Sequence, residues 1–193
     1  MPSRIIIVRH GETDSNKLRI VQGHLDVPLN STGLTQATTA AKFLEKYQID
    51  VIFSSDLKRA YVTAKHTAKR HKLPIHKTVL LRERYFGTLQ GKSFADITKK
   101  VDAEFSHFSQ VVRGKEHEYG AESDSEILER VKKFQAYLDL HRNKTVVVFT
   151  HGGLIARLLE HLLKLSREEV DQMSFPNAKP IVLMKCNGRY TLE

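Results

Sequence analysis

In three places the sequence sets a chemically able polar group directly after an apolar run. "IIIV" leads into Arg9-His10-Gly11, "VVVF" into Thr150-His151-Gly152-Gly153, and "DVIF" into Ser54-Ser55-Asp56-Leu57-Lys58-Arg59. Histidine serves as a nucleophile or proton carrier near neutral pH, and arginine presents a fixed fork of donors to an oxyanion. Glycine lets such an anion approach the backbone. Taken singly, each feature has an ordinary structural explanation: a satisfied histidine after a strand, glycines in a tight turn, an arginine on a helix surface. Their convergence is what points to chemistry. In a parallel α/β sheet, ligands sit beyond the carboxyl ends of the strands, where helix N-termini direct free N–H groups. Two histidines and two arginines are therefore expected to face one anion-binding pocket.

The elements that must hold these residues are legible from hydrophobic patterning. Continuous apolar runs bounded by turn signals mark buried strands at Ile5 to Val8, Val51 to Phe53, Thr145 to Phe149 and Ile181 to Met184, with a weaker one at Val79 to Leu81. Helical stripes lie between them. Leu34, Ala37, Ala41 and Leu44 follow Ser31 and Thr32 as caps, and Leu57, Ala60, Tyr61, Ala64 and Ala68 follow Asp56. Ser123 and Glu126 have capping-box spacing ahead of Ile127, Val131, Phe134 and Leu138, and a last stripe runs Leu154, Ile155, Leu158, Leu159 and Leu162. Strands alternating with helices imply an α/β fold, a three-layer α/β/α sandwich around a mostly parallel sheet. Gly188-Arg189 suggests a turn into a short final strand. Residues 84 to 120 break the rhythm with Gly87, Gly91, Gly114 and Gly120 and many charges, and read as a partly helical insertion covering the site in an otherwise single domain spanning 1–193.

Composition bounds the partners. The chain has 193 residues, 40% hydrophobic and 27% charged, which is globular in character. No segment approaches the roughly 20 apolar residues of a spanning helix, and the N-terminal apolar run is too short for a signal-peptide core, so a cytoplasmic protein without a membrane partner is expected. Cys186 stands alone and reads as a reduced core thiol. Thirty-one Lys and Arg against 22 Asp and Glu give a formal charge of +9, which favours anionic partners. The basic groups, such as Lys69-Arg70-His71-Lys72, lack the interleaved aromatics of a stacking platform, so nucleic acid is not expected. There is no GxxxxGK[ST], HExxH, GxSxG or strand-following GxGxxG motif. His66, His71 and His76 recur every five residues, which scatters them around a helix, facing solvent, rather than gathering a metal. No metal site and no cofactor are expected.

Longer stretches carry a resemblance. "RHGETDSN", "QGHLDVPLNSTGLTQA", "SSDLKRAYVTA", "LRERYFGTLQGKS", "AESDSEILERV", "THGG" and "PNAKPIVLMK" resemble, in order and over nearly the whole chain, the histidine phosphatase superfamily, also called the phosphoglycerate mutase-like family. The resemblance implies that His10 attacks phosphorus and becomes phosphohistidine. It implies that Arg9, Arg59, His151 and the backbone at Gly152 bind the phosphoryl oxygens, with a side-chain contact from Asn16. Glu83 would be the acid for the leaving oxygen and then the base for water, and Gln22 and Gly23 would line the substrate side. Such a site needs neutral His10, which neighbouring arginines favour, and a proton on Glu83, which burial or the substrate phosphate favours.

Two departures concern the substrate rather than the catalytic set. Ser15 precedes Asn16 where the mutase branch usually has tryptophan, and the "GES" pattern reads Ala121-Glu122-Ser123. The expected activity is hydrolysis of a small phosphorylated metabolite, because only Lys185 to Glu193 follow the strand at 181–184 and the mutase branch closes its site with longer segments. A phosphoglycerate mutase and a noncatalytic phosphate or nucleic-acid binding module are the alternatives.

Overall fold

The computed structural model describes residues 1–98 and 113–193. The strands are β1 (Arg4–Arg9), β2 (Val51–Ser55), β3 (Ile75–Thr78), β4 (Thr145–Thr150), β5 (Pro180–Cys186) and β6 (Arg189–Leu192). They form one sheet in the order β3-β2-β4-β1-β5-β6. The four strands from β3 to β1 run parallel, while β5 pairs antiparallel with β1 and β6 with β5 through a hairpin at Asn187-Gly188, both at positive φ. The short final strand is thus present. The sheet is mostly parallel, with two antiparallel strands at one edge.

The helices are α1 (Asp14–Lys17), α2 (Ser31–Leu44), α3 (Lys58–His71), α4 (Phe94–Thr98), α5 (Glu116–Tyr119), α6 (Asp124–Asp139), α7 (Gly152–Leu163) and α8 (Arg167–Asp171). Alternation of side chains along β1 divides the core into two halves. Ile5 and Ile7, with Val146 and Val148, pack under α6 and α7 through Phe134, Leu138, Leu154 and Leu158. Ile6 and Val8, with Val147 and Phe149, pack on the opposite face against Leu44, Ala64 and Ala68 of α2 and α3. This is the expected three-layer α/β/α arrangement.

The capping box at Ser123 and Glu126 forms as the spacing implies. The other two caps differ. Asn30, one residue earlier than expected, accepts from the Gly33 N–H at 2.8 Å. Asp56 is drawn away by the Arg82 guanidinium at 2.5 and 2.8 Å, and the first N–H of α3, at Lys58, is taken by Asp26 at 2.7 Å.

The expected strand at Val79 to Leu81 is a single 3-10 turn, capped by the Thr78 hydroxyl. The strand lies just before it, at β3, whose one apolar residue is Ile75. An edge strand with one exposed face does not need a continuous apolar run, so it gave no such signal. His76 is consequently on a strand and exposed, not on a helix. His66 and His71 do lie on α3 but are half-buried rather than solvent-facing. Cys186 is exposed at the hairpin end of β5, not a core thiol.

Within the expected insertion at 84–120, residues 99–112 lie outside the described residues. The rest packs Phe86, Leu89 and Ile97 with Val21 from the N-terminal part of the chain into a small separate cluster, with Phe94 and Tyr119 against it.

Candidate active site

Register brings the two histidines together. In the β1–β4 pair Arg9 lies opposite Thr150, so His10 and His151 leave adjacent strands at one level. The His10 N–H donates to the Thr150 carbonyl at 2.9 Å, and the two imidazole centroids are 5.1 Å apart.

His10 is 3% exposed. Its Nδ1 lies 2.7 Å from the Gly11 carbonyl oxygen, which only accepts, so Nδ1 carries the proton and Nε2 keeps its lone pair. Burial first, then the Arg59 and Arg9 charges, hold the His10 pKa well below the ordinary histidine value. The ring is neutral and oriented, as a nucleophile requires. The loop that follows is clamped from below: the Gly11 N–H donates to Thr63 Oγ1 at 3.0 Å, and the Thr63 hydroxyl donates to the Arg59 carbonyl at 2.7 Å. A Cβ on Gly11 would stand 2.4 Å from the Gly33 carbonyl oxygen, so only glycine lets α2 approach this closely.

Both arginines are tethered by carbonyls rather than carboxylates. Arg59, 1% exposed, donates Nη1 to Leu25 O and Nη2 to Gly23 O, each at 2.7 Å, while Arg9 donates Nη1 to Phe175 O at 2.8 Å. Both Nε atoms are buried without a partner. Burial is the main reason that the Arg59 pKa falls to about 10, and it also lowers that of Arg9. Each guanidinium is thus fixed in place without a direct carboxylate partner among the described residues, its charge offset only at a distance by Glu83 and, for Arg59, by Asp26, so an entering oxyanion finds donors still open to it.

His151, fully buried, shares a 2.9 Å hydrogen bond between Nε2 and Ser55 Oγ, and its Nδ1 has no partner. Burial, then Arg59, lowers its pKa well below the ordinary value. It is also the N-cap of α7 without a side-chain cap, so free N–H groups of that helix lie at the site. Glu83 reaches the same helix start: Gly153 N–H donates to Oε2 at 3.1 Å and Arg84 N–H to Oε1 at 2.9 Å. A Cβ on Gly153 would stand 2.4 Å from Glu83 Oε1, which accounts for the second glycine of "THGG".

Arg9, His10, Asn16, Gln22, Gly23, Arg59, Glu83 and Gly152 all line one cavity of about 540 Å³, while His151 is fully buried and does not line it, its ring centroid 5.1 Å from that of His10. Eight of the nine site residues read from the sequence therefore face the cavity, and the ninth packs beside His10. Asn16 Oδ1 accepts from the Thr13 N–H and hydroxyl, which leaves its Nδ2 for a ligand, and Gln22 Oε1 is buried without a partner. Among the described residues, no group of three or more His, Cys, Asp or Glu is arranged to hold a metal ion.

The supporting residues escaped the sequence reading. Thr63 lies on the α3 helix outside the apolar stripe and carries no signal of its own, and Ser55 reads as a strand end. Asn177, which donates to the His10 carbonyl at 2.8 Å, sits in a stretch quoted only for its resemblance. His24 donates Nε2–H to the Glu83 carbonyl at 2.8 Å, and Arg130, held by Glu122, donates to the Leu80 and Arg82 carbonyls at 2.8 and 3.1 Å. The "AES" departure thus supports the loop that carries Glu83 instead of touching the cavity.

Two neutral buried histidines make stability depend on pH. The unfolded chain takes up protons at both from about pH 6.5 downward while the native state does not, so stability falls with pH by about 1.4 kcal/mol per unit for each histidine until its lowered native pKa is reached. Denaturant midpoints should fall between pH 7.5 and 5.5, and His151→Gln should flatten the slope. A wild-type midpoint that does not change over this range would contradict buried neutral histidines.

Comparison with known proteins agrees with this geometry. Phosphoglycerate mutase-like protein 4 of Arabidopsis thaliana is 38% identical over 86% of this chain and 74% of its own. Glucosyl-3-phosphoglycerate phosphatase of Mycobacterium tuberculosis is 36% identical over 84% and 76%. A 2,3-bisphosphoglycerate-dependent phosphoglycerate mutase from Nocardia farcinica is more distant, 29% identical over 94% and 86%. A solved structure of mycobacterial glucosyl-3-phosphoglycerate phosphatase with VO3 superimposes with a TM-score of 0.86 at 34% identity, covering 99% of this chain and 97% of that one. The family model for the histidine phosphatase superfamily (branch 1) matches residues 5–193, and the chain belongs to that superfamily.

Proposed function

We propose that the protein is a metal-independent phosphoric monoester hydrolase that acts on a small phosphorylated metabolite through phosphorylated His10. The observation that carries this reading is the tautomer of His10: a fixed Nδ1–H leaves Nε2 unprotonated in a cavity that also holds Arg9, Arg59 and Glu83. Nε2 attacks phosphorus, the bond to the leaving oxygen breaks, and Glu83 gives that oxygen its proton. Water then attacks the phosphohistidine, Glu83 takes a proton from it, and the P–N bond breaks to release phosphate. Arg9, Arg59 and the Gly152 N–H hold the equatorial oxygens, and the unpartnered Nδ1 of His151, beside His10, is the further donor this reading assigns to them, so charge is stabilised by fixed donors. Asn16 adds a contact to the phosphoryl group, and Gln22 and Gly23 face the rest of the substrate. We take residues 1–193 as one domain with a cap at about 84–120, and place it in the cytoplasm without a nucleic-acid or membrane partner. Among the described residues, no helix is long and apolar enough to cross a membrane.

The similarity to a mutase keeps a second reading in view, and partitioning separates the two. With 3-phosphoglycerate and a trace of 2,3-bisphosphoglycerate, inorganic phosphate should form faster than 2-phosphoglycerate. Activity toward p-nitrophenyl phosphate should persist in EDTA and be inhibited by vanadate, a mimic of five-coordinate phosphorus. Faster formation of 2-phosphoglycerate would establish the mutase, and a loss of activity in EDTA that magnesium restores would overturn the metal-free mechanism.

A further inference from the structure

Beyond its charged floor, the cavity changes character. Its outer wall is built from Ile20, Val21, Phe86, Phe94, Phe175 and Pro176, with Arg19 among them. Two chain segments form much of this wall as one hydrogen-bonded unit. Val21 N–H donates to Lys92 O at 3.0 Å, Gly91 N–H to Val21 O at 2.8 Å, and Phe94 N–H to Arg19 O at 2.8 Å, while Ile20 bridges to Ser93. The apolar surface is therefore held in place. The uncharged polar side chains of the lining beyond the floor are Ser15, Asn16, Gln22 and Ser174, so a polyol hydroxyl that reached the Phe86 and Phe94 side would lose hydrogen bonds, whereas a flat apolar body would bury area there.

Arg19 adds a second element. It sits at φ 53, a backbone conformation that glycine adopts without cost and a side chain rarely does. Its guanidinium lies 4.9 Å over the Phe94 ring. The cavity's other charges are already engaged: Arg9 and Arg59 surround His10, Glu83 accepts two backbone N–H groups, and Asp171 pairs with Arg113 at 2.7 Å. Among the described residues, no carboxylate pairs with Arg19. A guanidinium stacked on an aromatic ring still offers its edge donors to an anion.

We infer that the preferred substrate is the phosphate monoester of an alcohol with a flat apolar body that ends in a carboxylate, with the wall taking the body and Arg19 the carboxylate. This rests on the phosphatase reading above. The test uses primary alkyl esters, so that the leaving oxygen is matched: glycerol 3-phosphate, 3-phenylpropyl phosphate and its para-carboxy analogue, compared by kcat/KM. The phenylpropyl ester should exceed glycerol 3-phosphate by about tenfold or more, as apolar contacts in a pocket allow. The carboxylate should add about tenfold again, the scale of a hydrogen-bonded ion pair. Arg19→Gln, and Arg19→Gly, which relieves the backbone, should each reduce the carboxy ester about tenfold more than the phenylpropyl ester, mainly through KM.

Glycerol 3-phosphate matching the phenylpropyl ester would overturn the apolar assignment. Equal losses on both aryl-alkyl esters in the two Arg19 variants would overturn the anion site. If wild-type protein releases phosphate from none of these esters nor from p-nitrophenyl phosphate, the phosphatase reading itself falls, and this inference with it.

Discussion

His10→Ala should abolish turnover, with kcat reduced by at least about 10⁴-fold, the scale seen when a catalytic nucleophile is removed. The reason lies in the surroundings of the ring. His151 cannot substitute, because it is fully buried, does not line the cavity and has its Nε2 tied to Ser55. Glu83 is spanned by two N–H donors, that of its neighbour Arg84 and that of Gly153 at the start of α7. The substitution also removes the Nδ1 hydrogen bond to Gly11, which costs about 1 kcal/mol of stability, a loss the core can absorb. Steady-state phosphate release checks the prediction, with thermal unfolding and His10→Gln as controls for a folded site. Substantial turnover by either folded variant would place the nucleophile elsewhere.

The second large effect concerns Glu83. Glu83→Gln should slow alkyl phosphates by about 10²- to 10⁴-fold and p-nitrophenyl phosphate far less, because only a poor leaving group needs a proton as its bond breaks. The substitution is not silent structurally. Both carboxylate oxygens now accept N–H bonds, from Arg84 and Gly153, and glutamine has only one oxygen to offer, so one of those donors loses its acceptor. That cost is the same for every substrate. The dependence on leaving group is therefore the diagnostic, read under conditions where formation of the phosphoenzyme limits the rate. Equal losses across the series would make Glu83 a structural residue that holds the start of α7.

How much of this was legible follows from how local each signal is. β1 and β4 are buried on both faces, so they read as unbroken apolar runs, and the polar residues at their ends were visible as exceptions. Parallel pairing then fixed the level of His10 against His151. β3 gave no such run because it is an edge strand, and Asp56 was a poor guide to a cap because Arg82, far along the chain, competes for it. Cys186 looked like a core residue by type, yet it lies where β5 leaves the sheet for a hairpin. Glu83 could not be found from local pattern at all: nothing about one glutamate in "LRERYFG" separates it from a surface charge, and only the family resemblance selected it. The tethers of Arg9 and Arg59 are backbone carbonyls of Phe175, Gly23 and Leu25, and a carbonyl has no sequence signature.

The most direct measurement is the chemical identity of the trapped intermediate. Wild-type protein, mixed with phosphorus-labelled substrate and quenched within the first turnover, should carry label that is lost in acid and survives in base, as a phosphoramidate bond does, and the label should map to His10. Label that survives acid but not base would indicate an acyl phosphate on a carboxylate, and would contradict the account at its centre.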